Sequence, residues 1–198
     1  MLIYDCEIKK AILGKTETAI EGIEYCGGWR DFEGMGISCI GAYDYSAARY
    51  RVFCEDNLAE FQALVDDHDI IVGFNSLGFD NPLCAANGLK VPDEKSYDIL
   101  VQVWLGAGLG PKFAFPTHIG YGLDAICECN FGVKKSGNGA LAPVLWQRGE
   151  IGAVIDYCLN DVRITKRLLD HIIEAGVIVS PKDGAALNIE KPITVCAP

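Results

Sequence analysis

Apolar residues recur with two different periods along this chain, and the switches between them mark its elements. From residue 2 to residue 8 they alternate, so Leu2, Tyr4, Cys6 and Ile8 point to one face of an expected strand and Ile3, Asp5 and Glu7 to the other. Two carboxylates therefore share a face. Residues 36–45 and 50–54 read as two further strands, rich in Ile, Tyr, Val, Phe and Cys, paired antiparallel across the turn Ser46-Ala47-Ala48. Residues 9–34 carry Gly14, Gly22, Gly27, Gly28 and Gly34 without clear periodicity and read as a long loop with room for a hairpin. Loops of that length are often functional.

Helical spacing starts after Asn57. Asn57 and Glu60 make a capping-box pattern, and Leu58, Phe61, Leu64 and Val65 repeat on one side up to Asp67. A strand is expected over residues 70–74. Asn81-Pro82 then reads as an N-cap followed by proline in the first turn of a short helix that stops near Asn87-Gly88, which leaves Asp80 outside the helix. Residues 98–105 and 122–129 predict two more helices, with Asp98 capping the first. The longest periodic stretch covers 150–175. There Val154, Cys158, Asp161, Ile164, Thr165, Leu168 and Ile172 form one stripe, Asp156, Asn160, Arg163, Lys166 and Asp170 lie away from it, and Gly176 ends it. Three early strands, then a helix, a strand and several helices predict an α/β layered domain.

Half of the 198 residues are hydrophobic, enough for one full core without staples. Residues 1–176 are expected to form that domain. Residues 177–198 hold two β-prone runs broken by Pro181, Gly184 and Pro192, either an added hairpin or a partner-binding extension. The nine cysteines sit mostly in apolar runs, where a reduced thiol behaves as a small hydrophobe. Cys127 and Cys129 lack a partner pair at zinc-binding spacing, so structural zinc is not expected. No secretory pattern opens the chain and no apolar run reaches the roughly 18 residues of a membrane span, so a cytoplasmic location off the membrane is expected. The net charge of -10 argues against tight nonspecific grip on nucleic acid, which comes mainly from Lys and Arg at phosphates, but not against contact through metal ions.

The chemistry lies in the carboxylates. Alternate residues on a strand stand about 6.6 Å apart, so Asp5 and Glu7 can address one metal cluster. Tyr157 and Asp161 are four residues apart and share one helical face, with Asp161 on the apolar stripe, where a charge needs compensation. Singly, each has a bland explanation: a solvated strand edge, a helix cap, a buried ion pair. Gathered, they repel by roughly 4 kcal/mol per pair at 4 Å and an effective dielectric of 20, a penalty that cations remove. An all-oxygen donor set favours Mg²⁺ or Mn²⁺. Lys112, Lys134, Lys135 and Arg148 are the basic residues nearest a substrate path, and Phe74 and Phe79 are either core or stacking surfaces for a terminal base.

Three strings combine these residues: Asp5-Cys6-Glu7, Gly73-Phe74-Asn75-Ser76-Leu77-Gly78-Phe79-Asp80, and Tyr157-Cys158-Leu159-Asn160-Asp161. In order and spacing they resemble the three motifs of the DEDD superfamily of 3′→5′ exonucleases, and the Tyr-x-x-x-Asp form resembles its tyrosine subgroup, DEDDy. The chain is similar to the exonuclease domains of family B DNA polymerases and to stand-alone bacterial and phage relatives. The resemblance implies a ribonuclease H-like fold, a central mixed β-sheet flanked by helices, with the first strand beside the fourth. It implies two divalent cations, Mg²⁺ or Mn²⁺. Asp5, Glu7 and Asp161 would hold the one that activates water, Asp5 would bridge to the second, Asp80 would support that side, and Tyr157 would orient the water.

The implied substrate is the 3′ end of single-stranded DNA or RNA, with DNA favoured although spacing reads no 2′-hydroxyl. Asn75, Phe79, Cys6 and Lys135 are its expected contacts. Cys6 stands where the family commonly has Ile, and Ile8 where it has Thr or Ser, which bears on contacts to the primer end. Proofreading would need a polymerase or another replication or repair protein as partner. The rival is a noncatalytic ribonuclease H-like binding or scaffold module. A dinucleotide-binding domain is excluded, because no Gly-rich loop joins a first strand to a helix.

Overall fold

The alternation along Leu2–Ile8 is realised as strand β1, whose two faces belong to two separate cores. The computed structural model describes residues 1–133 and 139–192. Leu2, Tyr4, Cys6 and Ile8 are buried with Phe61, Leu64 and Leu83, whereas Ile3 is buried with Leu168, Leu169 and Ile172. A strand covered on both faces belongs in the middle of a sheet.

That is its place. β2 (Ile37–Asp44) pairs antiparallel with β1, and β3 (Arg49–Phe53) pairs antiparallel with β2. On the other side β4 (Ile71–Gly73) runs parallel to β1, and β5 (Ser96–Asp98) runs parallel to β4. The order is β3-β2-β1-β4-β5, a mixed sheet with the first strand beside the fourth, as expected. β5 was not predicted, because three residues reading Ser-Tyr-Asp carry no usable alternation. The three parallel strands end on one edge, where α/β sheets place their ligand sites.

Helices cover both faces. α1 (Phe32–Met35), α2 (Leu58–Asp66) and α3 (Asp80–Ala86) supply Met35, Phe61, Val65 and Leu83 to the core under Leu2 and Tyr4. α4 (Ile99–Gly106), α5 (Leu123–Phe131) and α7 (Ile151–Ala175) pack on the other face, and α6 (Ala142–Gln147) precedes α7. Asp161, Leu168 and Ile172 of the predicted stripe are buried, and each fully buried Leu or Ile stabilises by about 1.5–3 kcal/mol. Gly176 ends α7 at φ +68, a left-handed conformation that suits glycine. After it, β6 (Val177–Val179) and β7 (Ala186–Asn188) pair as an antiparallel hairpin, and Ile178, Leu187 and Ile189 join the core around α7. Residues 193–198 of the expected extension lie outside the described residues.

Two local signals are overridden. Asn57 stands at the N-terminus of α2 without capping it: its Oδ1 accepts from the Cys54 amide (2.6 Å) and its Nδ2 donates to Val52 O (3.4 Å), so the side chain turns back to β3 and the capping box does not form. α3 begins at Asp80, not after Asn81, for a reason given below. The segment 9–34 contains no hairpin; it has one isolated parallel bridge, Ala11 with Tyr25, and the start of α1. Every described cysteine is a free thiol, and no described helix is long and apolar enough to cross a membrane.

The β2–β3 turn depends on Asp44. Burial opposes ionisation of its carboxyl, but hydrogen bonds from Ser46 Oγ (2.5 Å), Ala47 N (3.1 Å) and His68 Nε2 (3.2 Å) outweigh it and hold the group at about 2. Because the folded carboxyl is the stronger acid, the unfolded chain binds more protons between pH 2 and about 4. Asp44 therefore contributes about 2 kcal/mol that is fully present above its unfolded value of 3.8 and is lost as pH falls toward about 2. Asp44→Asn is expected to flatten the fall in unfolding free energy between pH 4 and about 2 in urea titrations. An unchanged slope would refute this role.

Candidate active site

The parallel register of β1 with β4, Ile3 opposite Val72, sets the turn after β4 beside Asp5. That turn and the start of α3 are tied to β1 by three contacts. The Cys6 amide donates to Asp80 Oδ1 (3.0 Å), the Tyr4 hydroxyl donates to Asn81 Oδ1 (2.5 Å), and the Cys6 and Cys84 sulfurs lie 3.8 Å apart. Asn81 Nδ2 also donates to Asp93 Oδ1 (3.1 Å) and Ser96 Oγ (2.9 Å). Asn81 therefore joins β1, α3 and the start of β5. Capping is left to Phe79, which makes no side-chain bond there, and Asp80 becomes the first helical residue.

Asp98 fixes the turn from the other side. It caps α4 by accepting from Leu100 N (3.0 Å), as its position predicted, and also accepts from Asn75 N (2.9 Å) and Leu77 N (3.0 Å). Burial raises its carboxyl, and these amides oppose the rise. Asn75 takes φ +64, a left-handed conformation that asparagine tolerates better than most residues. The turn is thus held by backbone donors on a buried carboxylate, and Asp80 follows it with little freedom.

α7 brings the last two residues. Its approach to the sheet depends on Gly41, the β2 partner of Asp5: a Cβ there would stand 2.9 Å from Cys158 Sγ and 3.2 Å from Val162 Cγ2. The Gly41 amide donates to Cys158 Sγ (3.1 Å), and Cys158 Sγ donates to Asp5 O (3.4 Å). Tyr157 and Asp161, one turn apart, then face the cleft.

Asp5, Glu7, Asp80, Tyr157 and Asp161 all line one cleft of about 470 Å³. Asn75, Phe79 and Phe74 line it as well. Phe79 also packs edge-on against Phe32, with centroids 5.9 Å apart. Cys6 borders the cleft, while its thiol lies against Cys84 in the core. Lys112 and Arg148 are not among the lining residues, and Lys134 and Lys135 lie outside the described residues.

A ligand atom from each of Asp5, Glu7 and Cys158 lies within 4.8 Å of the others, an arrangement that could hold a metal ion. Contact with the Cys39 thiol, then burial and Asp5, push the Cys158 thiol well up. In that state the thiol donates toward Asp5 O (3.4 Å), and the other two donors of the set are carboxylate oxygens. Burial pushes the Asp80 carboxyl well up and Asp5 adds to the rise. A divalent cation in the cleft would reverse that direction, so the oxygen donors fit a hard ion such as Mg²⁺ or Mn²⁺.

No protein-family model matches the chain, and no curated protein sequence matches it. Among solved structures it is similar to the family B DNA polymerase of the hyperthermophilic archaeon Pyrobaculum calidifontis, with a TM-score of 0.56 and 18% identity, over 87% of this chain and 24% of that one. The fold is ribonuclease H-like. This chain spans about a quarter of the polymerase's length.

Within this ribonuclease H-like fold the cleft also has lining residues that sequence patterns did not single out. Ile12, Glu17 and Trp29 come from segment 9–34, and Gly139, Ala140 and Pro143 from the approach to α7. Their nearness to Asp5 depends on Gln147 of α6, which accepts from Glu24 N (2.7 Å) and donates to Glu24 O (3.0 Å) and Lys9 O (2.9 Å). Only an aromatic residue beside paired glycines, Gly27-Gly28-Trp29, was available as a signal.

Proposed function

We propose that the chain is a metal-dependent DEDDy 3′→5′ exonuclease that hydrolyses the terminal phosphodiester bond of single-stranded nucleic acid, with DNA favoured. The supporting observation is the meeting of Asp5, Glu7, Asp80, Tyr157 and Asp161, from three distant segments, in one cleft of a ribonuclease H-like fold. Asp5, Glu7 and Asp161 would hold one divalent cation, and Asp5 with Asp80 a second. Bound there, such a pair supplies an activated water and neutralises charge on the leaving oxygen of an in-line displacement. The chain's own carboxylates set where those charges sit, and the amide of Cys6 keeps Asp80 aimed.

Tyr157 orients the attacking water through its hydroxyl. A phenol of pKa about 10 is a poor base at neutral pH, so its contribution is alignment. Tyr157→Phe is expected to lower kcat by roughly 10- to 100-fold while leaving thermal stabilisation by Mg²⁺ in place. Loss of that stabilisation would place Tyr157 among the groups that hold the metal instead. With a net charge of -10, cleavage of long strands is expected to be distributive unless a polymerase or other partner holds the substrate.

The test is incubation of the protein with 5′-labelled single-stranded DNA and RNA in Mg²⁺, Mn²⁺ or EDTA. A ladder shortened from the 3′ end with either metal and absent in EDTA supports the assignment and names the preferred polymer. No cleavage of either polymer with both metals would sink it and favour a noncatalytic binding module.

A further inference from the structure

We propose that Trp29 is a stacking platform for a nucleobase of the bound strand, and that segment 9–34 is the arm that holds it over the acidic floor. This rests on the exonuclease reading above. Trp29 lines the cleft and is 70% exposed, whereas Trp104 is buried. A tryptophan ring left in water on a floppy loop would be unremarkable; this one stands on a fixed support. Asp31 accepts from Gly27 N (2.6 Å) and Gly34 N (3.0 Å), closing the turn that carries Trp29. Ala11 N donates to Glu24 O (3.1 Å) and Cys26 N to Ala11 O (3.0 Å), and Gln147 clamps Glu24 and Lys9. The backbone that carries the ring is thus tied in place beside the cleft, which lowers the ordering cost of using it as a stacking surface.

The rest of the lining supports a base as the occupant. Ile12, Phe74, Phe79 and Pro143 give apolar walls around a carboxylate floor. No Lys, Arg or His is among the described lining residues, so that lining offers no basic side chain to a phosphate. A π-face grips any base, and stacking of this kind is sequence-tolerant. Trp29 thus gives the cleft affinity for a strand where the described lining holds no basic side chain.

The test uses the whole protein with Ca²⁺ in place of Mg²⁺ and two probes, a short oligothymidylate that quenches tryptophan fluorescence and its 5′-fluorescein form read by anisotropy. The wild type is expected to bind with quenching. Trp29→Ala is expected to bind between about fivefold and about a hundredfold more weakly with an unchanged melting temperature, and Trp29→Phe to recover most of the affinity without the quench. Trp29→Ala binding as tightly as the wild type, or Trp29→Phe binding no better than Trp29→Ala, would overturn the stacking role while leaving the exonuclease assignment intact. Binding of neither DNA nor the matching oligouridylate by the wild type would overturn both.

Discussion

Replacing Asp5 by Asn is expected to lower 3′-end cleavage at least about a thousandfold, because this position serves both proposed cations and their loss removes most of the acceleration. Asp5 sits on the central strand, opposite Gly41 and beside the turn that carries Asp80, so its carboxylate is the meeting point of the three segments. After burial, its charge is the next cause of the rise in the Asp80 carboxyl. The side chains are nearly equal in volume, so the fold is expected to survive, with the same circular-dichroism spectrum. What should disappear with activity is the rise in melting temperature on adding Mg²⁺. Activity within about tenfold of the wild type would remove Asp5 from the metal site and with it the two-metal reading.

Gly41→Val is the second large effect, and it acts through packing. A Cβ at this position would by itself stand 2.9 Å from Cys158 Sγ, 3.2 Å from Val162 Cγ2 and 3.4 Å from the Cys158 backbone carbon. A branched side chain must push α7 off the sheet, at a cost of about 1–3 kcal/mol, and the push displaces Tyr157 and Asp161 from Asp5. We expect a lower urea midpoint together with cleavage reduced well over tenfold, because placement errors of about 1 Å already cost that much. Adding Cys158→Ala removes the nearest atom and should restore part of both. Failure of that rescue would mean that strand geometry, not the close approach of α7, governs the effect.

The carboxylate-bearing elements were legible because each carries its own period: alternation in β1 puts Asp5 and Glu7 together, and the helical stripe of α7 puts Asp161 inward. Asp80 was legible as a cleft residue but not as the first residue of α3. Asn81-Pro82 looks like a local cap, yet Asn81 spends its amide on Tyr4, Asp93 and Ser96, and Tyr4 is 77 residues away. A similar long-range bond hid Trp29. Nothing periodic marks segment 9–34, and the clamp from Gln147 reaches Glu24 across 123 residues. β5 and α6 were missed because three and six residues are too short for a period to show.

The length of α7 has a mechanical consequence. Asp161 lies 14 residues from the last helical residue, about 21 Å at 1.5 Å per residue, so the helix is a lever. Active-site groups work within about 0.5 Å of their productive position, and over that arm the allowance corresponds to a tilt of only about 1.4°. The hairpin packs Ile178, Leu187 and Ile189 into the core shared with Leu168, Leu169 and Ile172, at the end of the lever remote from the chemistry. It is in effect the bearing of the instrument, a second mount for the helix beyond the close contact of Cys158 and Val162 with Gly41.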